Sequence, residues 1–297
     1  MKVLVIGGTY FLGRVFTMFS NEKYDLTLVN RGRYSMKDYH VKEIHFDRHN
    51  KDEWKKVHGK FDAVVDFCAY DEDDIRLVLD NIDASIKKYI YISTVDVYER
   101  GTNKVLDETG KLEERRFGGE MGAYIYGKIL LEKELEVVCK EKNIDYVSLR
   151  LSNLYGPFNY SPRETELIRR IALNEPLYHL TDAKAKFQLL YVKDAALAIQ
   201  QVIDHDCQYH AYNIVDEEVF DYDDLNFVFS QCSPVNIITM SIDEAKENDY
   251  PLVYPIYPEE QEIYHGERFK KEFNYTYTPM ENGMMTTFKA AYPIFKK

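Results

Sequence analysis

The sequence predicts an α/β protein, a doubly wound parallel sheet with a smaller mixed α/β C-terminal domain. Through the first half of the chain, short apolar runs typical of buried strands alternate with the periodic apolar patterns of helices. This alternation is typical of a parallel sheet with helices on both faces. A glycine-rich turn lies between the first strand pattern and the first helix pattern, where Rossmann-type sheets carry such a turn. We therefore expect a Rossmann-type sheet.

The strands are predicted from short, mainly apolar runs, as expected where a strand is buried on both faces. The first run, from Lys2 to Ile6, ends directly at the glycine turn. The predicted strands of the first half are residues 2–6, 25–30, 43–46, 62–69, 89–92 and 146–151.

The helices are predicted from apolar residues that share one face of a helix. Asp71 is expected to cap the second helix, and a long helix is expected from about residue 123 to 140. The predicted buried stripes are Leu12, Val15, Phe16 and Phe19 in the first helix, and Ile75, Val78, Leu79 and Ile82 in the second.

A smaller second domain is predicted to begin near Pro157, because the last third of the chain is rich in Tyr and Pro and has shorter elements. The segment from Leu189 to Val215 returns to the strand–helix–strand pattern of the first half. We therefore expect the chain to cross between the domains more than once. The predicted Rossmann domain is 1–156 plus about 188–215, and the predicted substrate-binding domain is about 157–187 plus 216–297.

Composition excludes several classes of protein. The chain has 297 residues, and 38 basic against 50 acidic side chains give a net charge of −12, which argues against a nucleic-acid partner. No apolar run approaches the roughly 18 residues of a membrane helix. The four cysteines are far apart and have no metal-ligand spacing. They are typical of reduced thiols in a cytoplasmic protein, and no metal site is expected.

The glycine turn, residues 7–13, predicts a dinucleotide cofactor. Glycine permits its tight backbone, and the helix that follows offers free N–H groups to a pyrophosphate. Tyr10 stands where the fingerprint has its middle glycine, and a purely structural turn is the alternative interpretation. The residues expected to contact the cofactor here are Gly7, Thr9, Tyr10, Phe11, Leu12 and Gly13.

The end of the second strand favours NADP over NAD. NAD-binding sheets usually place an acidic residue there to hold the ribose 2′-hydroxyl, whereas this chain has Asn30 followed by Arg31 and Arg33. Guanidinium groups can hold a 2′-phosphate through charge-assisted hydrogen bonds. A solvated basic loop is the alternative. Asp47, after the third strand, is a candidate partner for the adenine amino group.

A catalytic pair is predicted on the long helix. Tyr124 and Lys128 are four residues apart and share one helix face. A lysine beside a tyrosine lowers the pKa of the phenol, so that it can act as an acid or base near neutral pH. Thr94 follows the fifth strand, at the end of the sheet where ligands bind. We expect its hydroxyl to bind a substrate oxygen beside Tyr124.

Five motifs, in order along most of the chain, resemble the extended short-chain dehydrogenase/reductase family, also called the NAD-dependent epimerase/dehydratase family. They are GGTYFLG at 7–13, STVDVY at 93–98, YIYGK at 124–128, LRLSNLYGP at 149–157 and LYVKDAA at 190–196.

The resemblance implies hydride transfer at a carbon of a nucleotide-linked sugar, with Thr94, Tyr124 and Lys128 as the catalytic set. Lys128 would also hold the nicotinamide ribose, and Asn153 would reach the substrate diphosphate. A homodimer paired through helices 71–82 and 123–140 is also implied. The further cofactor contacts expected are Cys68, Ala69, Ser93, Tyr124, Leu151 and Ser152.

Departures from the family narrow the expected chemistry. Dehydratases of this family carry an acidic pair after the Thr, but here Val95 takes the first position and only Asp96 remains. The 3,5-epimerase/reductases have a Cys at that first position. A ketone reductase or a C4-type epimerase is therefore expected, and an NADP preference tilts the choice toward a reductase.

The motif GGTxFLG followed by NRG also resembles an atypical branch of this superfamily that includes chloroplast stem-loop RNA-binding proteins. The alternative function is therefore a non-catalytic, cofactor-binding protein with an RNA-binding or regulatory role. Some members of that branch have lost the catalytic tyrosine, whereas this chain keeps Tyr124 and Lys128, which favours an active enzyme.

Three weaker signals remain. His45 and His49 have the spacing of a metal pair on a helix, but the third predicted strand ends between them, so that geometry fails and no metal site is expected. The C-terminal tyrosines either stack on a ligand or pack the small domain. Basic residues at Arg163, Arg169 and Arg170 are candidates for a diphosphate, although Arg169 and Arg170 are adjacent and cannot point the same way.

Overall fold

A computed structural model describes residues 1–101 and 105–296 of the chain. The strands are β1 Lys2–Ile6, β2 Asp25–Asn30, β3 Lys42–His45, β4 His58–Asp66, β5 Asp83–Thr94, β6 Asp145–Leu151, β7 Leu154–Tyr155, β8 Leu177–Leu180, β9 Leu190–Tyr191, β10 Ala211–Ile214 and β11 Ile237–Met240. The α-helices are α1 Phe11–Ser20, α2 Asp74–Asn81, α3 Gly119–Lys142, α4 Glu164–Ala172, α5 Val192–Asp204, α6 Tyr222–Cys232, α7 Ile242–Glu247, α8 Glu267–Glu272 and α9 Met280–Phe295.

Seven strands form one parallel sheet in the order β10-β6-β5-β4-β1-β2-β3. Apolar side chains fill both faces, as the continuous apolar runs predict, and Val3, Leu4 and Val5 are inaccessible to solvent. The strand order reverses between β1 and β4, which in an open α/β sheet places a ligand crevice at the carboxyl ends of the strands. The predicted doubly wound α/β fold is confirmed.

The segment from Leu189 to Val215 joins the main sheet, as its strand–helix–strand pattern predicts. Helix α5 packs against α1, and β10 pairs with β6. A second lobe contains the parallel pair β8 and β11, and α9 packs against α4 and α6 there. One apolar cluster runs from Val3 in the sheet to Tyr254 and Met284 in this lobe, so the two parts share a core. The division into two domains stays a prediction.

Two local predictions are wrong. Phe19 is 46% exposed, and the ammonium of Lys193 lies 5.1 Å from its ring centroid. Asp71 does not cap α2, because that helix begins at Asp74. The Asp74 carboxylate instead accepts hydrogen bonds from the backbone N–H groups of Tyr70 and Asp71, at 2.8 and 3.1 Å. The start of α2 is capped instead by Glu134 of α3, whose carboxylate accepts the backbone N–H groups of Asp73 and Arg76 at 2.9 and 2.6 Å.

Helices α2 and α3 are joined by ion pairs on the protein surface. Arg76 contacts Glu141 at 2.9 Å, and Lys142 contacts Asp80 at 2.7 Å. The homodimer expected from these helices stays a prediction. Among the described residues, no helix combines the length and the apolar character that crossing a membrane requires.

Candidate functional site

A cleft of about 1070 Å³ opens at the carboxyl ends of β1, β2, β4, β5 and β6. It brings together nearly all the site residues that the sequence predicts. Ala69 does not line it, because that residue is fully buried and its carbonyl oxygen accepts a hydrogen bond from Lys128 at 3.2 Å. The predicted residues that line it are Gly7, Thr9, Tyr10, Phe11, Leu12, Gly13, Asn30, Arg31, Arg33, Asp47, Cys68, Ser93, Thr94, Tyr124, Lys128, Leu151, Ser152 and Asn153.

The glycine turn is shaped as a cradle. Gly7 has φ of +87°, a left-handed conformation that favours glycine. A Cβ on Gly13 would lie 2.6 Å from the carbonyl oxygen of Gly7, so only glycine lets α1 begin so close to the turn. Tyr10 precedes α1, and no side chain caps that helix. The first N–H groups of α1 therefore remain available to an anion.

The loop after β2 presents two arginines to the cleft. Asn30 is buried and its side chain is fully engaged, since its amide donates to Glu43 at 3.1 Å and its oxygen accepts from the Gly32 N–H at 2.6 Å. Asn30 therefore shapes the loop. Arg31 and Arg33 are exposed and form no ion pair with another described residue, so both guanidinium groups are available to a ligand.

A buried ion pair supports the floor of the cleft. Arg48 donates to both oxygens of the Asp66 carboxylate, at 2.9 and 3.0 Å, and to the backbone carbonyl of Asp74 at 2.9 Å. Tyr89 also donates to Asp66, at 2.6 Å. Burial raises the pKa of the nearby Cys68 thiol to about 12, so this cysteine is an inert thiol at neutral pH.

Lys128 is almost completely buried beneath the cleft. Its ammonium donates to the backbone carbonyls of Ile92, at 2.9 Å, and Ala69, at 3.2 Å. The rings of Tyr70, Tyr91 and Tyr124 surround it, with centroids 4.7, 4.8 and 5.7 Å away. Desolvation lowers the pKa of Lys128 to about 8. Two of its three N–H donors are engaged, which leaves one for a ligand or for Tyr124.

The pKa of Tyr124 differs from the prediction. Burial of its phenol raises that pKa above the ordinary value, the negative charge of Asp96 adds to the rise, and the hydroxyl of Thr94 opposes it. Although 38% of the Tyr124 side chain is exposed, it lines the cleft. The expected lowering of the Tyr124 pKa is therefore wrong, because burial of the phenol dominates that pKa.

Asp96 belongs to the same group of polar side chains as Thr94 and Tyr124. The Thr94 hydroxyl donates to the Asp96 carboxylate at 2.9 Å, and Arg100 donates to its second oxygen at 2.6 Å. Both Asp96 and Arg100 line the cleft. The Thr94 oxygen also accepts the backbone N–H of Asp96, at 3.2 Å. This set of bonds fixes the Thr94 side chain next to Tyr124.

The end of β6 supplies further polar groups. Ser152 is 6% exposed, and its hydroxyl has no partner among the described residues although it lines the cleft. Asn153 accepts a hydrogen bond from Arg163 at 3.2 Å, and Arg163 lines the cleft as well. Ser93 donates to Glu132 at 2.6 Å, so its hydroxyl is engaged. A buried hydroxyl without a partner at the cleft wall indicates a ligand-binding surface.

Most of the other residues that the sequence singles out contact other side chains of the protein. Arg169 and Arg170 both form ion pairs with Glu175, and neither lines the cleft. His45 bonds to Asn30, whereas His49 lies 3.0 Å from both Asp47 and Asp74, so the histidines do not form a pair. Most C-terminal tyrosines pack the second lobe: Tyr250 and Tyr254 are buried, and Tyr264 alone of the group reaches the cleft.

The sequence analysis missed several residues of the cleft, among them three tyrosines. Tyr34, Tyr70 and Tyr160 line it from loops. A position in a loop directly after a predicted strand could have indicated Tyr34 and Tyr70. Nothing in the sequence singles out Tyr160 from the other tyrosines of the chain.

Comparison of the sequence with known proteins identifies its family. The model of the NAD-dependent epimerase/dehydratase family matches residues 3–215. The chloroplast stem-loop binding protein of 41 kDa b from Arabidopsis thaliana is 25% identical over 243 residues, which are 75% of this chain and 61% of that protein. The chain thus spans about three fifths of the length of this curated relative.

Solved structures with the same fold cover almost the whole chain. The UDP-N-acetylglucosamine 4-epimerase from Methanobrevibacter ruminantium, in complex with UDP-N-acetylmuramic acid, is 18% identical over 97% of both chains, with a TM-score of 0.77. The Thermus thermophilus UDP-glucose 4-epimerase complex with NAD is 15% identical over 98% of this chain and 99% of its own, with a TM-score of 0.72. At these identities the likeness shows the fold. Because the family model covers more than half of the sequence, the chain belongs to the NAD-dependent epimerase/dehydratase family.

Proposed function

We propose that this chain is an NAD(P)-dependent enzyme that acts on a nucleotide-activated sugar, by C4-type epimerisation or by 4-keto reduction. The observation that carries the proposal is the meeting of Thr94, Tyr124 and Lys128 in the cleft that also contains the glycine turn. The nucleotide-sugar epimerases among the solved relatives support the substrate class.

The residues of the cleft fit a dinucleotide. The uncapped start of α1 suits a pyrophosphate, and the unpartnered hydroxyl of Ser152 offers a donor or acceptor deeper in the cleft. Asp47 keeps an exposed carboxylate at the end of the cleft near Arg31, where an adenine amino group could donate to it. When bound, the nicotinamide supplies the hydride acceptor or donor.

Tyr124 is the proposed acid and base. As a phenolate, its oxygen accepts the proton of a sugar hydroxyl as the carbon is oxidised, and the resulting phenol returns that proton when the ketone is reduced. Because burial raises the pKa of Tyr124, the phenol keeps its proton at neutral pH and is ready to donate it to a ketone oxygen. The oxidation direction needs the phenolate, which the positive charge of Lys128 favours. The Thr94 hydroxyl, which donates to Asp96 in this structure, is proposed to turn its proton to the same sugar oxygen and orient it.

Lys128 is proposed to hold the cofactor ribose with its third N–H donor. Its two hydrogen bonds to backbone carbonyls fix the ammonium under the cleft. The positive charge of this ammonium favours the phenolate form of Tyr124, whose ring centroid is 5.7 Å away. Lys128 therefore acts on both the cofactor and the proton transfer.

Arg31 and Arg33 support a preference for NADP, because both are exposed at the cleft and form no ion pair with an acidic side chain among the described residues. Asn153 and its partner Arg163 support binding of a substrate diphosphate. We assign residues 1–156 and about 188–215 to cofactor binding, and the remainder to substrate binding.

The direct test is a titration of the purified protein with NAD(H) and NADP(H), each with and without UDP-, GDP-, dTDP- and CDP-sugars. Tight binding of NADP(H) that one nucleotide sugar improves is the result expected for a reductase. Tight retention of NAD without exchange is expected for an epimerase. If neither dinucleotide binds, the proposal is wrong.

A second candidate function is the binding of a nucleic-acid stem-loop, which the Arabidopsis relative favours by its name. The net charge of −12 opposes it, since nucleic-acid affinity depends on basic contacts to phosphates. Fluorescence anisotropy with a labelled stem-loop RNA tests it. Binding that weakens steeply with salt would support this candidate, and no change in anisotropy would exclude it.

A further inference from the structure

A stack of three tyrosine rings crosses the cleft at the glycine turn. The rings of Tyr10 and Tyr34 are 5.5 Å apart and 10° from parallel, and those of Tyr10 and Tyr160 are 5.1 Å apart and 25° from parallel. All three residues line the cleft. Tyr10 is therefore the central ring of the stack, at the position where the dinucleotide fingerprint has a glycine.

The three rings come from three separate segments. Tyr10 immediately precedes α1, Tyr34 lies in the loop between β2 and β3, and Tyr160 lies between β7 and α4. The stack thus joins the loop that carries Arg31 and Arg33 to the segment that leads into the second lobe, with the phosphate-binding turn in the middle.

Two more contacts hold the segment around Tyr160 against the start of α1. The Tyr160 ring meets the edge of Phe11 at 5.9 Å and 89°, and the guanidinium of Arg14 lies 5.0 Å from the Phe158 ring centroid. Phe11 itself has φ of 36°, a left-handed conformation that is rare outside glycine. Both contacts are made at the start of α1, next to the turn that would bind the pyrophosphate.

The rings can separate without disturbing the core. Tyr10, Tyr34 and Tyr160 are 47%, 42% and 66% exposed, so burial contributes little to the stack. An aromatic pair is worth roughly a 2- to 12-fold change in an equilibrium. Such a stack is strong enough to slow the release of a ligand and weak enough to open during each binding event.

We propose that Tyr10, Tyr34 and Tyr160 form an aromatic clasp that closes over the bound dinucleotide and slows its dissociation. This inference rests on the proposed function, because it requires a dinucleotide in the cleft. A clasp of this kind would retain the cofactor through repeated turnovers, as an epimerase needs, and would replace the close backbone approach that the middle glycine otherwise allows.

The test is the dissociation rate of NADH and of NADPH, measured by stopped-flow fluorescence when the loaded protein is mixed with excess oxidised dinucleotide. Tyr160→Ala removes the stack on Tyr10 and the contact with Phe11, so we expect dissociation on the order of tenfold faster. Tyr160→Phe keeps the ring and is the matched control, with a rate within about twofold of the wild type. Thermal unfolding checks that each variant is folded.

A double-variant cycle shows whether the rings act together. Tyr10→Gly restores the fingerprint residue and should also speed dissociation, and Tyr160→Ala should add less than about threefold in that background. The clasp is overturned if the dinucleotide dissociates from Tyr160→Ala at the wild-type rate or more slowly. It is also overturned if the fold-changes in dissociation rate of the two single variants multiply in the double variant. If the wild-type protein binds neither dinucleotide, the proposed function fails and the clasp fails with it, which is a different result from binding with an unchanged rate.

Discussion

The ammonium nitrogen of Lys128 lies 5.7 Å from the centroid of the Tyr124 ring, one turn away on α3. The two side chains are thus close enough for the charge of one to affect the protonation of the other. The Lys128 ammonium also donates to the backbone carbonyls of Ala69 and Ile92. The arrangement holds a buried cation ready beneath the proposed acid and base.

Tyr124→Phe is expected to remove turnover while leaving cofactor affinity nearly intact. Loss of a positioned acid or base typically costs about 10²- to 10⁴-fold in rate, and the phenylalanine ring keeps the shape of the cleft. Steady-state kinetics together with a dinucleotide titration measure both quantities. Undiminished activity in this variant would contradict the assignment of Tyr124.

Replacement of Lys128 by Met should change how stability depends on pH. Since the pKa of Lys128 is about 8 in the folded protein and 10.5 as the ordinary value, both folded and unfolded chains are protonated below pH 8, and the buried charge then opposes folding. As pH rises from 8 to 10.5, the folded state loses its proton first, and its stability increases. The wild type should gain about 3 kcal/mol over this range relative to Lys128→Met.

Urea unfolding of the two proteins at several pH values measures this difference. Groups that titrate equally in both proteins cancel in the comparison. A stability difference between them that stays constant from about pH 7 to pH 10.5 would show that Lys128 keeps an ordinary pKa.

Replacement of Arg31 and Arg33 by Ala should weaken NADP binding and leave NAD binding nearly unchanged. Each hydrogen bond to a charged phosphate is worth roughly 1.5–3 kcal/mol, so the pair together should lower NADP affinity by more than about tenfold. Isothermal titration with both dinucleotides checks the prediction. An equal loss of affinity for both would mean that these arginines do not distinguish the 2′-phosphate.

Arg48→Ala should destabilise the fold strongly, because it leaves the buried carboxylate of Asp66 without its bidentate partner. Breaking a buried ion pair from one side costs roughly 3–5 kcal/mol. The matched control is Arg76→Ala, which removes a surface ion pair with Glu141 and should cost less than about 1 kcal/mol. Equal losses in a urea unfolding experiment would contradict the structural role of Arg48.

The sheet and the glycine turn could be predicted from sequence because each depends on local rules. Strand 2–6 is apolar after its first residue. Gly7 has a left-handed conformation, and Gly13 stands where a close backbone contact excludes a Cβ. Contacts between distant segments could not be predicted in this way. The partnership of Asn30 with Glu43 and the stack of Tyr10 with Tyr160 depend on how loops meet in space.

The protonation states were also beyond sequence reasoning. The spacing of Tyr124 and Lys128 places them on one helix face, but the pKa of each depends on how deeply it is buried and on which groups surround it. Phe19 shows the same limit for packing. Its position in the apolar stripe predicts burial, but the side chain is 46% exposed near the end of α1.

The most direct test of the central claim is product analysis by NMR after incubation of the protein with NAD(P) and a panel of nucleotide hexoses and 4-keto sugars, with Tyr124→Phe as the control. We expect one nucleotide sugar to be converted to its C4 epimer, or one 4-keto sugar to its alcohol, and the variant to form neither product. If the cofactor binds but no member of the panel is converted, the assignment of the cleft to nucleotide-sugar chemistry is contradicted.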